Sequence, residues 1–223
     1  MSFDVSPAVD CPICPRLAEF RCDNRAAFPE WRNAPVETFG AADARLLIVG
    51  LAPGLRGANR TGRPFTGDYA GDLLYATLLE FGFAKGVYDR RPDDGLALND
   101  CAIVNAVRCV PPQNKPTPAE ISACRPYLIG TIGALPRLEA VVALGRIAHD
   151  SALRAFGARL AQYPFAHGAR HTLEPRGVTL FDSYHCSRYN TNTGVLTAQM
   201  FRAVFSSARD HLAERGAQSL PAL

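Results

Sequence analysis

Four short apolar runs are spaced along the chain, and each ends at a glycine or a polar residue. Runs of this length that are rich in Val, Ile and Leu are typical of strands buried on both faces of a sheet. The predicted strands cover residues 45–49, 101–107, 140–144 and 178–182.

Helical patterns alternate with these strands. Thr117 and Glu120 have the spacing of a capping box, and Pro118 occupies the first helical position, so a helix is predicted to begin there. Pro126 lies within this pattern and is expected to kink or split the helix. The other predicted helices cover residues 70–81, the segment from 146 to about 156, and residues 196–212.

The alternation of strands and helices predicts an α/β fold in a single domain over residues 1–223. We expect an α/β/α sandwich around a central, mostly parallel, four-stranded sheet. Ligands of open parallel sheets bind beyond the carboxyl ends of the strands. The segments that follow the predicted strands should therefore meet at one rim, and they are residues 50–54, 105–109, 145–146 and 185–194.

The composition narrows the class of protein without identifying it. Hydrophobic residues make up 48% and charged residues 20%, so the chain can bury a core and global disorder is not expected. The net charge of +3 permits a polyanionic partner. No stretch resembles a signal peptide or approaches about 18 apolar residues, so we expect a cytoplasmic protein without a membrane span.

Seven cysteines in a reducing compartment favour metal ligation over disulfides. Cys11 and Cys14 form a CxxC pair, and Cys109 and Cys124 form a wider pair with a proline-rich loop between them. Four thiolates can bind zinc or a [4Fe–4S] cluster, and the alternative is a redox CxxC with two buried core cysteines. The spacing alone leaves these options open.

Three motifs, in this order along the chain, resemble those of the uracil-DNA glycosylase superfamily. The stretch 50–67, GLAPGLRGANRTGRPFTG, followed by Asp68, is similar to the first motif of its family 5. The segment 105–109, NAVRC, with PPQNKPTPAE and Cys124, resembles the middle segment of families 4 and 5. The stretch 185–194, HCSRYNTNTG, resembles the His-Pro-Ser loop of the whole superfamily.

Two positions favour family 5, and one departs from the family pattern. Leu51 stands where family 4 enzymes carry Glu, and Ala52 stands where the best-known uracil glycosylases carry a catalytic Asp. Cys186 replaces the Pro of the His-Pro-Ser loop, which removes a restraint on the backbone dihedral φ.

The resemblance implies a monofunctional DNA glycosylase of base excision repair that acts on a flipped nucleotide. It would hydrolyse the N-glycosidic bond of uracil, and of other deaminated bases such as hypoxanthine and xanthine. The implied catalytic residues are Asp68 and His185. The implied substrate-binding residues are Gly50, Ala52, Phe65 and Asn105.

The cysteine order is also that of the superfamily, which implies a [4Fe–4S] cluster as cofactor. Its implied ligands are Cys11, Cys14, Cys109 and Cys124. The cluster is expected to be structural and to tie down an N-terminal segment of about residues 1–40.

Each implied site residue also has a purely structural interpretation. Phe65 could be a core aromatic, and Asn105 could satisfy backbone groups at the end of a strand. His185 could stabilise the O2 anion of the departing base or be structural. Asp68 could orient water or offset sugar cation charge, but it also precedes a helix and could cap it.

Two loops are predicted to contact DNA. Arg56, Arg60 and Arg63 lie in one glycine-rich loop and are expected to bind phosphates. The loop after the last strand is expected to enter the minor groove, with Arg188 or Tyr189 as the wedge. The predicted DNA-binding residues of that loop are Ser187, Arg188, Tyr189 and Asn190.

Other functions compete with this one. A P-loop is excluded because the glycine-rich loop lacks Gly-Lys-Ser/Thr, and no dinucleotide fingerprint is present. A non-catalytic iron–sulfur module that binds damaged DNA, or a family 4-like enzyme restricted to uracil, stays open. We expect a nucleoid-associated monomer without an obligate protein partner. His167 and His171 are expected to be surface residues.

Overall fold

The computed structural model describes residues 5–218, and these residues form an α/β/α sandwich around one six-stranded sheet. The strands are β1 (Phe39–Gly40), β2 (Leu46–Gly50), β3 (Ala84–Lys85), β4 (Ala97–Leu98), β5 (Cys101–Asn105), β6 (Ala140–Leu144), β7 (Arg170–Leu173) and β8 (Val178–Ser183). The helices are α1 (Pro15–Ala27), α2 (Ala58–Thr61), α3 (Tyr69–Glu80), α4 (Pro118–Gly133), α5 (Arg146–Ala155), α6 (Arg188–Asn192) and α7 (Ala198–Gln218).

The central sheet has the strand order β1-β5-β2-β6-β8-β7. The four inner strands β5, β2, β6 and β8 run parallel, and every residue in them is buried. Successive side chains point to opposite faces, so Ile48 packs with α3 and α7 while Leu47 packs with α4 and α5. Helices on both faces explain why these strands read as continuous apolar runs.

The four predicted strands are confirmed, but the prediction of a four-stranded sheet is wrong. β1 and β7 add an antiparallel strand at each edge. β1 has only two residues, and three of the four residues of β7 are exposed or half-buried. Because edge strands are short and partly solvated, neither carries the apolar run that revealed the inner strands.

The helix boundaries follow local capping signals. The Oγ of Thr117 accepts from the Glu120 N–H at 3.3 Å, and the Glu120 carboxylate accepts from the Thr117 N–H at 2.7 Å, so the capping box is confirmed. Pro126 does not split α4, which continues to Gly133. The last helix begins at Ala198 and extends beyond the predicted end at residue 212. Within residues 5–218, no helix is long and apolar enough to cross a membrane.

The segment before β2 is held against the sheet by specific contacts. The Arg21 guanidinium donates to the Cys11 carbonyl at 2.9 Å, and the Val36 N–H donates to the Arg108 carbonyl at 2.8 Å. Arg108 is fully buried, and its guanidinium donates to the Thr131 hydroxyl at 2.7 Å. Arg108 therefore joins the N-terminal segment, β5 and α4, rather than facing a ligand.

Candidate active site

The carboxyl ends of the inner strands open onto a cleft of about 900 Å³. Segments that follow β2, β5 and β8 line it, as the parallel topology predicts. Gly145, at the end of β6, supports the site from behind, because a Cβ there would lie 3.3 Å from the His185 Cβ. The predicted residues that line the cleft are Ala52, Arg56, Phe65, Asp68, Asn105, His185, Ser187 and Arg188.

Asn105 ends β5 and is only 3% exposed. Its Oδ1 is buried, and no group in residues 5–218 donates a hydrogen bond to it. A buried acceptor without a donor is costly, commonly about 1–3 kcal/mol, unless a ligand supplies the donor. Since Asn105 lines the cleft, this amide is an open position for a ligand with an N–H group.

The Phe65 ring forms the apolar wall beside that amide. Its backbone has a φ of 53°, which is uncommon for a residue other than glycine and points to a constrained functional position. Gly50 makes room for both groups, because a Cβ there would lie 2.7 Å from the Phe65 ring and 2.4 Å from the Asn105 Oδ1. Because Gly50 has no side chain, the Phe65 ring and the Asn105 amide can both occupy the space beside it.

Asp68 is both a helix cap and a residue of the cleft. Its Oδ1 accepts from the Gly71 N–H at 3.1 Å at the start of α3, so the capping interpretation is confirmed. Its Oδ2 lies over the loop after β2, where a Cβ on Gly57 would come within 2.4 Å. Burial raises the pKa of this carboxyl, so its charged form is held at an energetic cost.

His185 is half-buried in the cleft, with its ring centroid 6.2 Å from that of Phe65. The Asn190 side-chain amide donates to the His185 carbonyl at 2.8 Å, and the Ser187 hydroxyl caps α6 by accepting from the Asn190 N–H. These bonds fix the loop. Burial lowers the pKa of His185, so the ring is neutral near pH 7 and can donate one hydrogen bond.

Cys186 takes a structural place between this loop and α3. Its side chain is fully buried, and its thiol donates to the Ala70 carbonyl at 3.5 Å. That contact couples the backbone beside His185 to the helix capped by Asp68. Burial and this hydrogen bond thus restrain the backbone at the position where the His-Pro-Ser loop carries its proline.

The prediction that Arg63 binds phosphate is wrong. Its side chain is 5% exposed, and its guanidinium forms a bidentate pair with Asp94 at 2.8 Å for both bonds. The Arg63 guanidinium also lies 5.5 Å from the Tyr75 ring centroid. Arg63 therefore anchors the loop around Asp94 within the fold. Arg56 and Arg60 are exposed and remain available.

The two wedge candidates in the loop after β8 differ in their surroundings. Arg188 lies over the Tyr69 ring, 5.2 Å from its centroid, whereas Tyr189 is 74% exposed. Sequence reasoning missed Tyr69, Asp72 and Arg90, which also line the cleft. Tyr69 directly follows Asp68 in the sequence, and this proximity to a predicted catalytic residue could have identified it as part of the site. Arg90 lies in an irregular loop, and no sequence pattern marks it.

The four predicted ligand cysteines line one small apolar recess together with Leu17 and Tyr127. The Arg21 guanidinium donates to the Cys109 Sγ at 3.6 Å, and the Arg108 N–H donates to the Cys124 Sγ at 3.3 Å. Burial raises the pKa of Cys109 to about 12. Cys101, which the sequence left outside this set, is fully buried in β5.

The prediction that His167 and His171 are surface residues is wrong. His171 is 14% exposed and lies against the buried pair His149–Asp182. His167 is half-buried, and its Nδ1 accepts from the Tyr184 N–H at 3.1 Å. Contacts between distant segments bury both rings, and spacing along the chain does not show such contacts.

The fold and the cleft together define a DNA glycosylase site. The model of the uracil DNA glycosylase superfamily matches residues 37–209, and the chain belongs to this superfamily and to its type-5 family. A type-5 uracil-DNA glycosylase of Thermus thermophilus is 46% identical over 89% of this chain and 92% of its own length. A type-5 uracil-DNA glycosylase of Mycobacterium bovis is 43% identical over 89% of this chain and 77% of its own length. Another, from Pyrobaculum aerophilum, is 38% identical over 92% of this chain and 90% of its own length.

Proposed function

We propose that this chain excises uracil from DNA by hydrolysing the N-glycosidic bond of a flipped nucleotide. The observation that carries the proposal is the unpaired Asn105 Oδ1 beside the Phe65 ring. A uracil stacked on Phe65 would donate its N3–H to that oxygen, and its O4 would accept from the Asn105 amide nitrogen. The test is release of free uracil from an oligonucleotide; binding without release would instead favour a damage-recognition module.

The remaining residues of the cleft match the charges that develop during the reaction. As the C1′–N1 bond breaks, its electron pair leaves with the base and positive charge builds on the sugar. The neutral His185 ring would donate a hydrogen bond to the O2 of the departing anion. The Asp68 carboxylate would stabilise the sugar cation and orient the water whose oxygen bonds to C1′, while the water proton passes to Asp68 and then to solvent.

A wider base range is the finer part of the proposal. Leu51 and Ala52 are half-buried, apolar residues of the cleft, and they offer no polar group that would reject a purine. We propose that hypoxanthine and xanthine are also released. Oligonucleotides that carry each base in turn, in single and double strands, test this range; release of uracil alone would restrict the enzyme to that base.

The exposed arginines of the first loop should bind phosphates, with Tyr189 as the wedge. Replacing both Arg56 and Arg60 by Ala is expected to weaken DNA binding of any sequence and to reduce the salt slope by about two. Fluorescence anisotropy over a series of salt concentrations measures this. Tyr189→Ala should slow base release from duplexes more than from single strands, because only duplexes need the gap filled.

Arg63→Ala is the matched control for the loop. It leaves the Asp94 carboxylate buried without its partner, a change that commonly costs about 3–5 kcal/mol of stability. We therefore expect Arg63→Ala to lower the melting temperature. Replacing Arg56 and Arg60 by Ala should leave it unchanged. An unchanged salt slope in the double variant would show that the loop faces away from DNA.

We propose that the four cysteines bind a [4Fe–4S] cluster, which would supply structural cross-linking. All four side chains line one small apolar recess, so four sulfur ligands are available at a single place. The hydrogen bonds that Arg21 and the Arg108 backbone donate to the sulfurs are of the kind that surrounds such clusters.

Protein purified without oxygen is expected to be brown and to contain about four irons per chain. Cys109→Ser should lose iron and lower the melting temperature, because the ligands join the N-terminal segment to the loop after β5. Cys101→Ser is the matched control for iron content. This buried cysteine lies in the sheet and outside the recess, so its replacement should leave the iron content unchanged. Stoichiometric zinc without iron would contradict the proposal.

We further propose that the enzyme acts as a monomer on DNA that contains deaminated bases, in the cytoplasm and at the nucleoid. All the residues proposed for catalysis and base binding lie in one chain, so a second copy is not needed to complete the site. Light scattering at assay concentrations, with and without DNA, tests the oligomeric state.

A further inference from the structure

A second cluster of titratable side chains lies behind the loop that carries His185. It joins three elements: His149 on α5, His171 on β7 and Asp182 on β8. Asp182 is fully buried, His149 is 1% exposed and His171 is 14% exposed. Their three ligand atoms lie within 4.8 Å of one another, and none of the chemistry proposed above uses them.

The hydrogen bonds of His149 define which of its nitrogens is open. Its Nε2 lies 2.9 Å from the Tyr163 carbonyl, and a carbonyl only accepts, so Nε2 carries a proton. Nδ1 faces the Asp182 Oδ1 at 2.7 Å. In the neutral ring this nitrogen holds a lone pair against a carboxylate oxygen, so the contact requires either a second proton or a cation.

The other half of the cluster favours a cation. The Asp182 Oδ2 and the His171 Nε2 are both buried, and neither has a hydrogen-bond partner in the described part of the chain. They lie 3.5 Å apart without the geometry of a hydrogen bond. Protonating His149 satisfies only Oδ1. A single positive ion between the three side chains would satisfy all of these groups at once.

The donor set matches one kind of ion, because histidine nitrogens and carboxylate oxygens are ligands of zinc in proteins. Tetrahedral zinc, with nitrogen and oxygen ligands about 2.0–2.1 Å away, separates its ligand atoms by about 3.3 Å. The His149 Nδ1 lies 2.7 Å from Oδ1 and the His171 Nε2 lies 3.5 Å from Oδ2, so each oxygen of the one carboxylate faces a different nitrogen. The first separation would widen by about 0.6 Å when the ion binds. The bond from His149 to the Tyr163 carbonyl is the outer contact that commonly orients a metal-bound histidine.

We propose that His149 Nδ1, His171 Nε2 and the Asp182 carboxylate bind a divalent zinc-class cation, with water completing its coordination. The ion would be separate from the cysteine site. Asp182 lies three residues before His185, and α5 begins just after Gly145, which backs that histidine. The ion would therefore join α5, β7 and β8 behind the active-site loop, in a positioning role.

The experiment uses the full chain with its iron–sulfur cluster bound. The protein is dialysed against EDTA and then given zinc chloride. At about a hundredfold excess over the dissociation constant, one bound ion should raise the melting temperature by roughly 5–10 °C. Asp182→Asn and His171→Ala should lose this shift. His211→Gln is the matched control, because that histidine is buried elsewhere, beside Phe181, and the variant should keep the shift.

Cobalt chloride gives a second readout that does not depend on how stable the variants are. The parent protein should show cobalt absorption typical of nitrogen and oxygen ligands and no thiolate charge-transfer band. If zinc and cobalt leave the parent unchanged, or if His171→Ala retains the full shift, the proposal is wrong. The three side chains would then contain only a hydrogen-bonded ion pair of His149 and Asp182.

Discussion

Replacing Asp68 by Asn is expected to slow uracil release by about a hundredfold in single-turnover assays, with little change in melting temperature. Asn caps helices as well as Asp does, so the bond that Oδ1 accepts from Gly71 can be kept. What the variant removes is the negative charge. Since burial disfavours that charge in the folded protein, its loss does not lower stability at neutral pH.

The pH dependence of the rate gives a sharper test. Because burial raises the pKa of Asp68 above its ordinary value of 3.8, the carboxylate becomes protonated at a higher pH than an exposed Asp. The single-turnover rate should therefore fall as the pH drops through this raised pKa. The same acid limb should be missing in Asp68→Asn, whose residual rate has no such group to titrate.

His185→Ala is the companion variant in the same cleft. It should also lower the rate by about a hundredfold, because the hydrogen bond to the departing base is strongest in the transition state. Binding to DNA that contains uracil should change little in both variants. Parent rates in Asp68→Asn and His185→Ala would show that the site is wrongly assigned even though the family is right.

The sequence was most informative where one segment determines its own structure. The four inner strands were predicted because two helical layers bury them completely, and the capping box of Thr117 and Glu120 marked the start of α4. Positions of Asn105 and His185 at the rim followed from the parallel topology. These features need no knowledge of distant contacts.

Predictions failed where a distant partner decides the outcome. Arg63 looked like a phosphate ligand, but Asp94 lies far along the chain and captures its guanidinium within the fold. His171 looked exposed because only the packing of β7 beside β8 brings it to Asp182. A residue's type shows what it can bind, whereas its partner depends on contacts that spacing does not reveal.

The roles of the glycines also needed the three-dimensional structure. In the sequence, Gly50 is one of several glycines in a motif, and it has no side chain of its own to suggest a function. The structure pairs it with Asn105 across two parallel strands and places the Phe65 ring against its Cα. The missing Cβ is therefore what allows the amide and the ring to meet at the base-binding position.

Gly50→Ala is expected to reduce base release by about a hundredfold while leaving the fold intact. The added Cβ would lie 2.4 Å from the Asn105 Oδ1 and 2.7 Å from the Phe65 ring, so both side chains must move. Displacements of about 1 Å at reacting groups commonly have effects of this size. Because the atoms that must yield belong to side chains, the sheet itself should remain in place.

Gly133→Ala is the matched control, since nothing lies within 4 Å of a Cβ at the end of α4, and Ala favours a helix by about 1 kcal/mol. It should retain the parent rate and an equal or higher melting temperature. Single-turnover release from uracil-containing duplexes, with affinity measured on the same DNA, compares the two variants. Gly50→Ala should lose both rate and affinity, because Asn105 and Phe65 bind the base before the bond breaks. Parent values for both quantities would exclude the amide and the ring as the base-binding pair.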